Sequence, residues 1–268
     1  MFLKNIYIIS LTAVLCFFSV SSNATVVEIR TSLGDIEVNL FDESTPETVE
    51  NFLTYVNSGA YANVVIHRSV GGFIIQSGGF EYSSPAVAGE VPLDEIETGP
   101  SVINEPVYSN LRATIAMAKV SGLANSATSQ WFINLADNSS NLDTQNSGFT
   151  VFGQVSDAGM QTVDAIAATS TVNLGGAFTD IPMQNFTSAD FSNDVVIEEE
   201  NLVLISDVVV TDSSVTSAAN LNPVVNTLIN SDTSGGNVSS SGGGAFLWLS
   251  LVALLGFGAR LQTRRDQA

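Results

Sequence analysis

Two short stretches near the start of the chain alternate apolar and polar residues. They lie at Val26–Ile29 and Ile36–Leu40, on either side of the sequence SLGD at 32–35. A period of two residues is typical of a strand with one buried face, and a glycine between two such runs favours a tight turn. The pattern therefore predicts an antiparallel hairpin.

The next segment changes to a helical period. The sequence STPE at 44–47 is typical of a capping box, with Ser44 as the cap and a proline in the first turn. Apolar residues then follow at spacings of three and four positions: Val49, Phe52, Leu53 and Val56. Gly59 suits the end of a helix. These signals predict one amphipathic helix between Ser44 and Gly59.

The stretch VVIHRSVGGFIIQSGGF at 64–80 joins two apolar runs, at 64–66 and 73–75, through a pair of glycines. This arrangement is typical of two strands connected by a turn. His67 and Arg68 lie between the runs. Since the chain has one histidine and only eight basic residues, a basic pair beside a strand indicates a guanidinium that is held in a fixed position.

The remaining periodic segments complete a mainly β fold. Further strands are predicted at 114–118, 129–135, 149–155 and 201–210, and a second helix is predicted by Met160, Val163, Ile166 and Ala167. Residues 80–106 contain four prolines and are predicted as a long loop, whereas residues 169–200 show no clear period. The count of about eight strands and two helices predicts a closed eight-stranded antiparallel barrel capped by two helices.

The first 24 residues have the composition of a secretory signal peptide. Lys4 provides the charged start, an apolar run follows at 6–20, and the sequence SNA at 22–24 suits cleavage after Ala24. An uncleaved anchor is the alternative. Cleavage would remove Cys16, the one cysteine of the chain, so we expect no disulfide.

The C-terminal part has a different composition from the predicted domain at 25–211. Residues 212–241 are rich in Ser, Asn, Thr and Gly and are predicted as a flexible linker. Residues 242–268 contain a glycine triplet, an apolar run of about fifteen residues and a basic cluster. This order resembles the GlyGly-CTERM sorting signals of Gram-negative bacteria. The resemblance implies an exported protein of the periplasm, envelope or cell surface, with permanent or transient membrane contact and release after processing; a permanent inner-membrane anchor is the alternative.

The charge of the chain argues against one class of partner. The net charge is −19, from 27 acidic and 8 basic residues. Such a surface repels phosphate, so nucleic-acid binding is not expected. One histidine leaves no zinc site with several histidine ligands, and no cofactor or metal is expected. The acidic runs at 42–43 and 198–200 lack the order of an EF-hand loop and are interpreted as solvated charge, with weak calcium binding as the alternative.

Four blocks of the sequence resemble the cyclophilin-type peptidyl-prolyl isomerases. In that family a Phe-His-Arg block is followed, after a short turn, by Gly-Phe-Met-x-Gln, and here the corresponding residues read IHR and GFIIQ within 66–76. The other blocks are IAMAK at 115–119, ATSQWFIN at 127–134 and VFG at 151–153, and the helix start PETVENF at 46–52 also agrees. Because the blocks occur in the family's order, residues 26–210 are identified as a member of this family.

The resemblance implies an enzyme that rotates X-Pro peptide bonds without a cofactor. It assigns Arg68 as the catalytic hydrogen-bond donor, Gln76 as the residue that holds its guanidinium, and Phe132 as part of the catalytic site. The residues that it implies for substrate binding are Phe73, Ile74, Ala118, Lys119 (through its backbone), Gln130, Leu142 and Phe149. The resemblance places Phe132 in the proline pocket together with Phe73, Ile74, Leu142 and Phe149. Proline-containing polypeptides are the expected partners of a monomeric enzyme.

The sequence departs from the family pattern at four positions. Ile74 stands where methionine is usual, Phe149 stands where many members have histidine, and Gly71 replaces the usual proline of the turn. Trp131 stands where the family has a phenylalanine, and its alternation with Phe132 predicts that it points into the core. None of these changes removes a group that the expected mechanism needs.

Two other functions stay open at this stage. The first is a proline-binding module or chaperone with weak or no turnover. The second is a surface interaction protein in which the barrel is a scaffold and residues 80–106 form the contact surface. An intact set of Arg68, Gln76 and Phe132 favours the enzyme. His67 is interpreted as a structural histidine rather than a base.

Overall fold

The computed structural model of the chain describes residues 25–83, 86–213 and 221–230. The strands in these ranges are β1 (Val26–Thr31), β2 (Gly34–Leu40), β3 (Val64–Val65), β4 (Arg68–Val70), β5 (Ile74–Ser77), β6 (Phe80–Tyr82), β7 (Leu93–Glu95), β8 (Thr114–Met117), β9 (Trp131–Asn134), β10 (Val151–Val155), β11 (Thr171–Val172), β12 (Ile181–Pro182) and β13 (Leu204–Asp212). The helices are α1 (Pro46–Ser58), α2 (Ser139–Leu142), α3 (Asp157–Ala167) and α4 (Ser188–Ser192), with 3-10 turns at Gln145–Ser147 and Glu199–Asn201. The fold is mainly β, as the sequence predicts.

Eleven of these strands form one antiparallel sheet. Their order is β4-β5-β9-β8-β10-β2-β1-β13-β3-β6-β7, and β11 pairs separately with β12. The predicted hairpin is confirmed, because β1 and β2 pair continuously from Val26 opposite Asn39 to Thr31 opposite Gly34. Gly34 has a φ of +127°, a backbone conformation that favours glycine. The last strand, β13, returns to pair with β1.

The expected closed barrel of eight strands is not confirmed, because the sheet has eleven. Strands β6 and β7 arise in the segment at 80–106 that the sequence analysis predicts as loop, and they extend the sheet beyond β3. In addition, the run at 64–70 is divided in two by Ile66 and His67: β3 pairs with β13, and β4 pairs with β5. The two halves of this short segment thus pair at distant positions in the strand order, and the sheet is curled.

Both predicted helices are present, as α1 and α3. Two further short helices, α2 and α4, arise where the sequence shows no helical period. The predicted capping box at the start of α1 is wrong in detail. Thr45 rather than Ser44 is the N-cap, and the Ser44 hydroxyl instead lies 2.6 Å from the hydroxyl of Tyr108.

A distant carboxylate binds the first turn of α1. Glu105 accepts hydrogen bonds from the backbone N–H of Thr48 at 2.9 Å and from the Thr48 hydroxyl at 2.7 Å. A negative group at this end satisfies free backbone donors and interacts favourably with the helix dipole. Glu105 therefore ties the long segment at 80–106 to the helix.

Apolar side chains divide into three clusters. The main core lies between α1, α3 and one face of the sheet and contains Phe52, Trp131 and Ile133. A second group, here called the pocket cluster, consists of Phe41, Ile74, Ala116, Ala118, Phe132, Leu142, Phe149 and Val151. A third cluster joins residues of the segment at 169–200 to β3 and β13. Trp131 is fully buried in the main core, as its position in the alternating run predicts.

Residues 221–230, here called the tail segment, pack against the domain although they lie in the predicted linker. Val225 forms an isolated antiparallel bridge with Tyr108, and Asn226 is buried. The predicted signal peptide at 1–24 and the predicted sorting segment at 242–268 lie outside the described residues. Within the described ranges, every helix is too short or too polar to cross a membrane.

Candidate active site

Three neighbouring strands place the expected catalytic residues in one row. In the antiparallel register, Arg68 of β4 lies opposite Gln76 of β5, and Gln76 lies opposite Phe132 of β9. Residues directly opposite each other in a sheet project from the same face. The structure therefore brings Arg68, Gln76 and Phe132 together on one face, although a long segment separates β5 from β9 in the sequence.

Arg68 stands at one end of this row and is half-buried. Burial lowers the pKa of its guanidinium and the nearby Asp180 carboxylate raises it, but an arginine keeps its charge under all ordinary conditions. Its Nη1 atom is buried and has no hydrogen-bond partner among the described residues. Since a buried donor without a partner is costly, this N–H group is available to a bound ligand.

Gln76 differs from its expected role in one contact. Its Nε2 donates a hydrogen bond of 2.9 Å to Oε1 of Gln130, whereas its own Oε1 is buried and has no partner in the part of the chain that the structure describes. The expected hydrogen bond between Gln76 and the Arg68 guanidinium is therefore not formed among these residues. The amide nitrogen of Gln76 instead fixes Gln130 beside the row.

The apolar side of the row is the pocket cluster. It contains Ile74, Phe132, Leu142 and Phe149, and Phe73 packs at its margin, so the five side chains expected to line a proline pocket do come together. The rings of Phe132 and Phe149 meet edge to face with 5.7 Å between their centroids. The cluster has little free surface, since the exposed fraction is 2% for Phe149 and 0% for Leu142 and Phe132.

Lys119 does more than its expected backbone role. Its ammonium Nζ donates hydrogen bonds to the carbonyl oxygens of Asn146, at 2.8 Å, and Gly148, at 2.6 Å. It also lies 4.8 Å from the centre of the Phe149 ring, within the range of a cation–π contact. Burial lowers the pKa of Lys119 to about 8. The side chain therefore holds the loop that carries Phe149. No sequence pattern indicates this role for a lysine next to a buried strand.

Gln130 and Ala118 connect the row to a neighbouring cavity. Ala118 is part of the pocket cluster, and its backbone N–H donates to the Gln130 carbonyl at 2.9 Å. Gln130 itself lines a cavity of about 560 Å³, together with Gly79, Ile96, Val120, Leu123, Ser126 and Thr128. A volume of this size is typical of ligand-binding clefts, so the two residues stand where a peptide on either side of a proline could extend.

One contributor to the site lies in the segment at 169–200, which shows no clear period in the sequence. The carbonyl of Asp180 accepts a 2.7 Å hydrogen bond from the N–H of Ser69, the residue after Arg68. This bond places the Asp180 side chain close enough to raise the pKa of Arg68. Because residues 169–200 form only short elements, the position of Asp180 follows from tertiary packing and from no local signal.

His67 is buried beside the row and does not have the surroundings of a general base. Its exposed fraction is 2%, and its ring meets that of Phe80 edge to face at 4.9 Å. Burial lowers the pKa of His67 to about 3, with a further lowering from the Arg68 charge and an opposing hydrogen bond to the backbone of Val65. The imidazole is therefore neutral at physiological pH and structural, as the sequence analysis interprets it.

The low pKa of His67 predicts an acid-sensitive stability. The unfolded histidine binds a proton near pH 6.5, whereas the folded one does so only near pH 3, so this contribution to stability is lost as the pH falls below 6.5. The loss amounts to about 2 kcal/mol between pH 7 and pH 5. Urea unfolding at pH 7, 6 and 5 is expected to show this decline in the wild type and a flat profile in His67→Gln. Parallel profiles for the two proteins would contradict the assignment.

No cluster of three or more His, Cys, Asp or Glu side chains in residues 25–83, 86–213 and 221–230 is arranged to hold a metal ion. Asp42, in the acidic run at 42–43, accepts hydrogen bonds from the N–H and the hydroxyl of Thr25. These contacts explain Asp42 as a structural residue.

Comparison with known proteins identifies relatives of this chain. A family model described as "Cyclophilin type peptidyl-prolyl cis-trans isomerase/CLD" matches residues 26–188. Peptidyl-prolyl cis-trans isomerase A of Dickeya dadantii is 40% identical over 185 residues, which cover 68% of this chain and 87% of that protein. Peptidyl-prolyl cis-trans isomerase B of Escherichia coli is 38% identical over 164 residues, which cover 59% of this chain and 93% of that protein. A crystal structure of a cyclophilin-type isomerase from Cryptosporidium parvum is 22% identical, with a TM-score of 0.48, and the match covers 71% of this chain and 99% of that chain.

Proposed function

The chain belongs to the cyclophilin-type peptidyl-prolyl cis-trans isomerases, and we propose that it isomerises X-Pro bonds in exported polypeptides through the row Arg68, Gln76 and Phe132. The isomerase activity follows from the family match and from the named relatives. The observation that carries the proposed site is the register of β4, β5 and β9, which places a charged donor, an amide and an aromatic ring side by side.

The reaction needs neither a nucleophile nor a general base. Amide resonance sets a barrier of about 18–20 kcal/mol to rotation of the peptide bond, while the two isomers of an X-Pro bond differ by only about 0.5–1 kcal/mol. A catalyst therefore has to stabilise the twisted amide more than either planar form. In the twisted form the nitrogen is no longer conjugated and accepts a hydrogen bond, so a fixed donor next to it lowers the barrier.

Arg68 is the donor in this mechanism. Its half-buried guanidinium is charged, and its buried Nη1 has no partner among the described residues. A hydrogen bond from a charged donor is stronger than a neutral one. The unpaired Oε1 of Gln76 stands opposite Arg68 in the register. When substrate binds, Gln76 orients the guanidinium through this oxygen, and the N–H that remains free points to the prolyl nitrogen.

The pocket cluster binds the proline ring. The apolar surface for the ring is provided by Phe73, Ile74, Phe132, Leu142 and Phe149. Burying the ring releases water from the ring and from this surface. Ala118, Lys119 and Gln130 bind the flanking peptide through backbone groups and the Gln130 amide. Partners are therefore extended proline-containing segments, bound by a monomeric enzyme.

The proposed location depends on the two ends of the chain. We interpret residues 1–24 as a signal peptide, 25–211 as the isomerase domain, 212–241 as a linker of which the tail segment is the packed part, and 242–268 as a sorting segment that contacts the membrane. The composition of these ends and the net charge of −19 support an envelope or surface protein of a Gram-negative bacterium.

Processing of the ends tests this location. Mass spectrometry of the protein from a Gram-negative host is expected to find an N-terminus at Thr25 and a C-terminus near the glycine triplet at 242–244. Ala24→Arg, which removes the small residue required at the cleavage position, is expected to block the first cut alone. A mature protein that still begins at Met1 and ends at Ala268 would contradict the proposal.

A further inference from the structure

The tail segment is attached to the domain as a short extra strand. Val225 bridges to Tyr108, the N–H of Ser109 donates to the Val224 carbonyl at 2.8 Å, and the N–H of Asn226 donates to the Val107 carbonyl at 2.8 Å. The two hydrogen bonds lie on either side of the Val225–Tyr108 pair and join two segments of the chain in the antiparallel pattern. The segment therefore has a defined register on residues 107–109.

Asn226 anchors the segment to the loop that precedes Phe149. Its side chain is 4% exposed, and Nδ2 donates to the Asp143 carbonyl at 2.9 Å. Its Oδ1 accepts from the N–H groups of Leu228 and Ile229, each at 3.0 Å. Every polar atom of the amide is thus used in binding the segment or in turning it, which is what a specific contact requires.

One end of the segment reaches the proposed proline pocket, and the other end reaches the loop before Phe149. Leu221 packs against the pocket cluster that contains Phe132, Leu142 and Phe149. At the other end, Ile229 lies so close to Gly148 that a Cβ atom added there would be 3.2 Å from its Cδ1. Gly148 precedes Phe149 and accepts the Lys119 hydrogen bond. The segment therefore contacts the cluster and the loop that shapes it.

The burial of the pocket is inconsistent with a vacant groove. A proline ring can bind only to side chains that have accessible surface, yet Ile74, Phe132 and Leu142 have an exposed fraction of 0%. An open site of this kind has to expose part of these side chains. Something has to move before substrate enters, and the tail segment contacts this cluster through Leu221.

Several features make the tail segment releasable. Val224 and Val225 are 55% and 57% exposed, so the segment buries little apolar surface apart from Leu221. It is held mainly by backbone hydrogen bonds and by one asparagine, and such regions open at lower free energy than the core. The contact is therefore stable enough to form within one chain and weak enough to open for a ligand.

We propose that the tail segment is an intramolecular cover of the proline pocket, which competes with substrate and keeps the enzyme in a low-affinity state until it is displaced. The inference rests on the proposed pocket. A cover that occludes the site divides the population into closed and open forms, and only the open fraction binds substrate. The apparent KM is raised by the inverse of that fraction, while kcat at saturating substrate changes little.

Two substitutions in the full chain test the cover. Asn226→Ala removes the anchor to Asp143, and Leu221→Asp places a charge against the pocket cluster. Each is expected to lower KM for an Ala-Pro peptide by about three- to tenfold with kcat nearly unchanged. Val195→Asp, at a position that is 46% exposed in another segment, is the matched control and is expected to keep the wild-type KM.

Hydrogen exchange reports the same contact without an activity assay. The amides of Ser109 and Asn226, which donate to Val224 and Val107, are expected to be protected in the free protein and to lose protection when a proline peptide binds. Unchanged KM in both variants, or protection that persists with saturating peptide, would overturn the cover. Absence of isomerisation in the wild type and in both variants would instead count against the proposed function. In that case peptide affinity and hydrogen exchange would still test whether the tail segment covers the pocket.

Discussion

Arg68→Ala is expected to lower kcat/KM for isomerisation of an Ala-Pro peptide by about 10²–10³-fold. This is the usual loss when one preorganised hydrogen-bond donor to a transition state is removed. The donor acts on the twisted amide more than on the planar substrate, so the loss should appear in kcat and leave KM within a fewfold of the wild type. Exchange spectroscopy of the peptide, or a coupled protease assay, measures the rate.

Two further variants separate catalysis from folding. Arg30→Ala removes an exposed arginine, paired with Glu28 at 2.7 Å, and surface pairs contribute only about 0–1 kcal/mol; its activity is expected to match the wild type. Arg68→Lys keeps the charge but loses the planar guanidinium, and is expected to recover only a small part of the rate. A rate for Arg68→Ala equal to that of Arg30→Ala would show that the guanidinium is not the donor.

Trp131→Ala is expected to destabilise the domain by about 3–5 kcal/mol, the usual cost of truncating a large buried aromatic residue. Trp131 has no exposed surface and lies within the main core, where the rigid sheet cannot collapse around the vacancy. Because total stability is commonly about 5–15 kcal/mol, the variant should unfold at a much lower urea concentration. Urea denaturation followed by circular dichroism measures the shift.

Trp131→Phe is the matched control for that loss. The indole Nε1 has no hydrogen-bond partner among the described residues, so phenylalanine, which the family usually has at this position, loses volume but no polar contact. We expect a cost of about 1 kcal/mol, in the range of moderate changes in core volume. Equal destabilisation by alanine and phenylalanine would indicate that the indole N–H, rather than the ring volume, stabilises the core.

Local periodicity was sufficient for the elements with one buried face. The hairpin of β1 and β2 and the helices α1 and α3 follow from alternation and from i, i+3, i+4 spacing, because burial imposes these periods directly on the sequence. The row of Arg68, Gln76 and Phe132 followed from the motif resemblance, and the register explains why the motif has its spacing.

The contacts that the sequence analysis missed are long-range. Ser44 has the chemistry of a helix cap, but Glu105 provides the carboxylate to Thr48 from 57 residues away, which no window of sequence reveals. The sequence analysis assigns Lys119 a role through its backbone alone. Its burial depends on two carbonyls, of Asn146 and Gly148, that converge only after the loop has folded.

The tail segment was predicted as linker for a related reason. Half of its residues, LNPVVNTLIN at 221–230, are apolar, but they show no sustained period, and the attachment mainly uses backbone atoms, which are the same for every residue type. Leu221, Asn226 and Ile229 contribute side-chain contacts. A docked strand of this kind has no compositional signature.

The position of β13 has a consequence for biosynthesis. This strand lies between β1 and β3 in the sheet. Two strands from the beginning of the domain therefore pair fully only after a strand from its end has been synthesised. Until residues 204–212 have left the ribosome or the translocation channel, β1 and β3 each present an unpaired edge, which other chains can join. The nascent domain therefore cannot complete its sheet until its last strand has emerged.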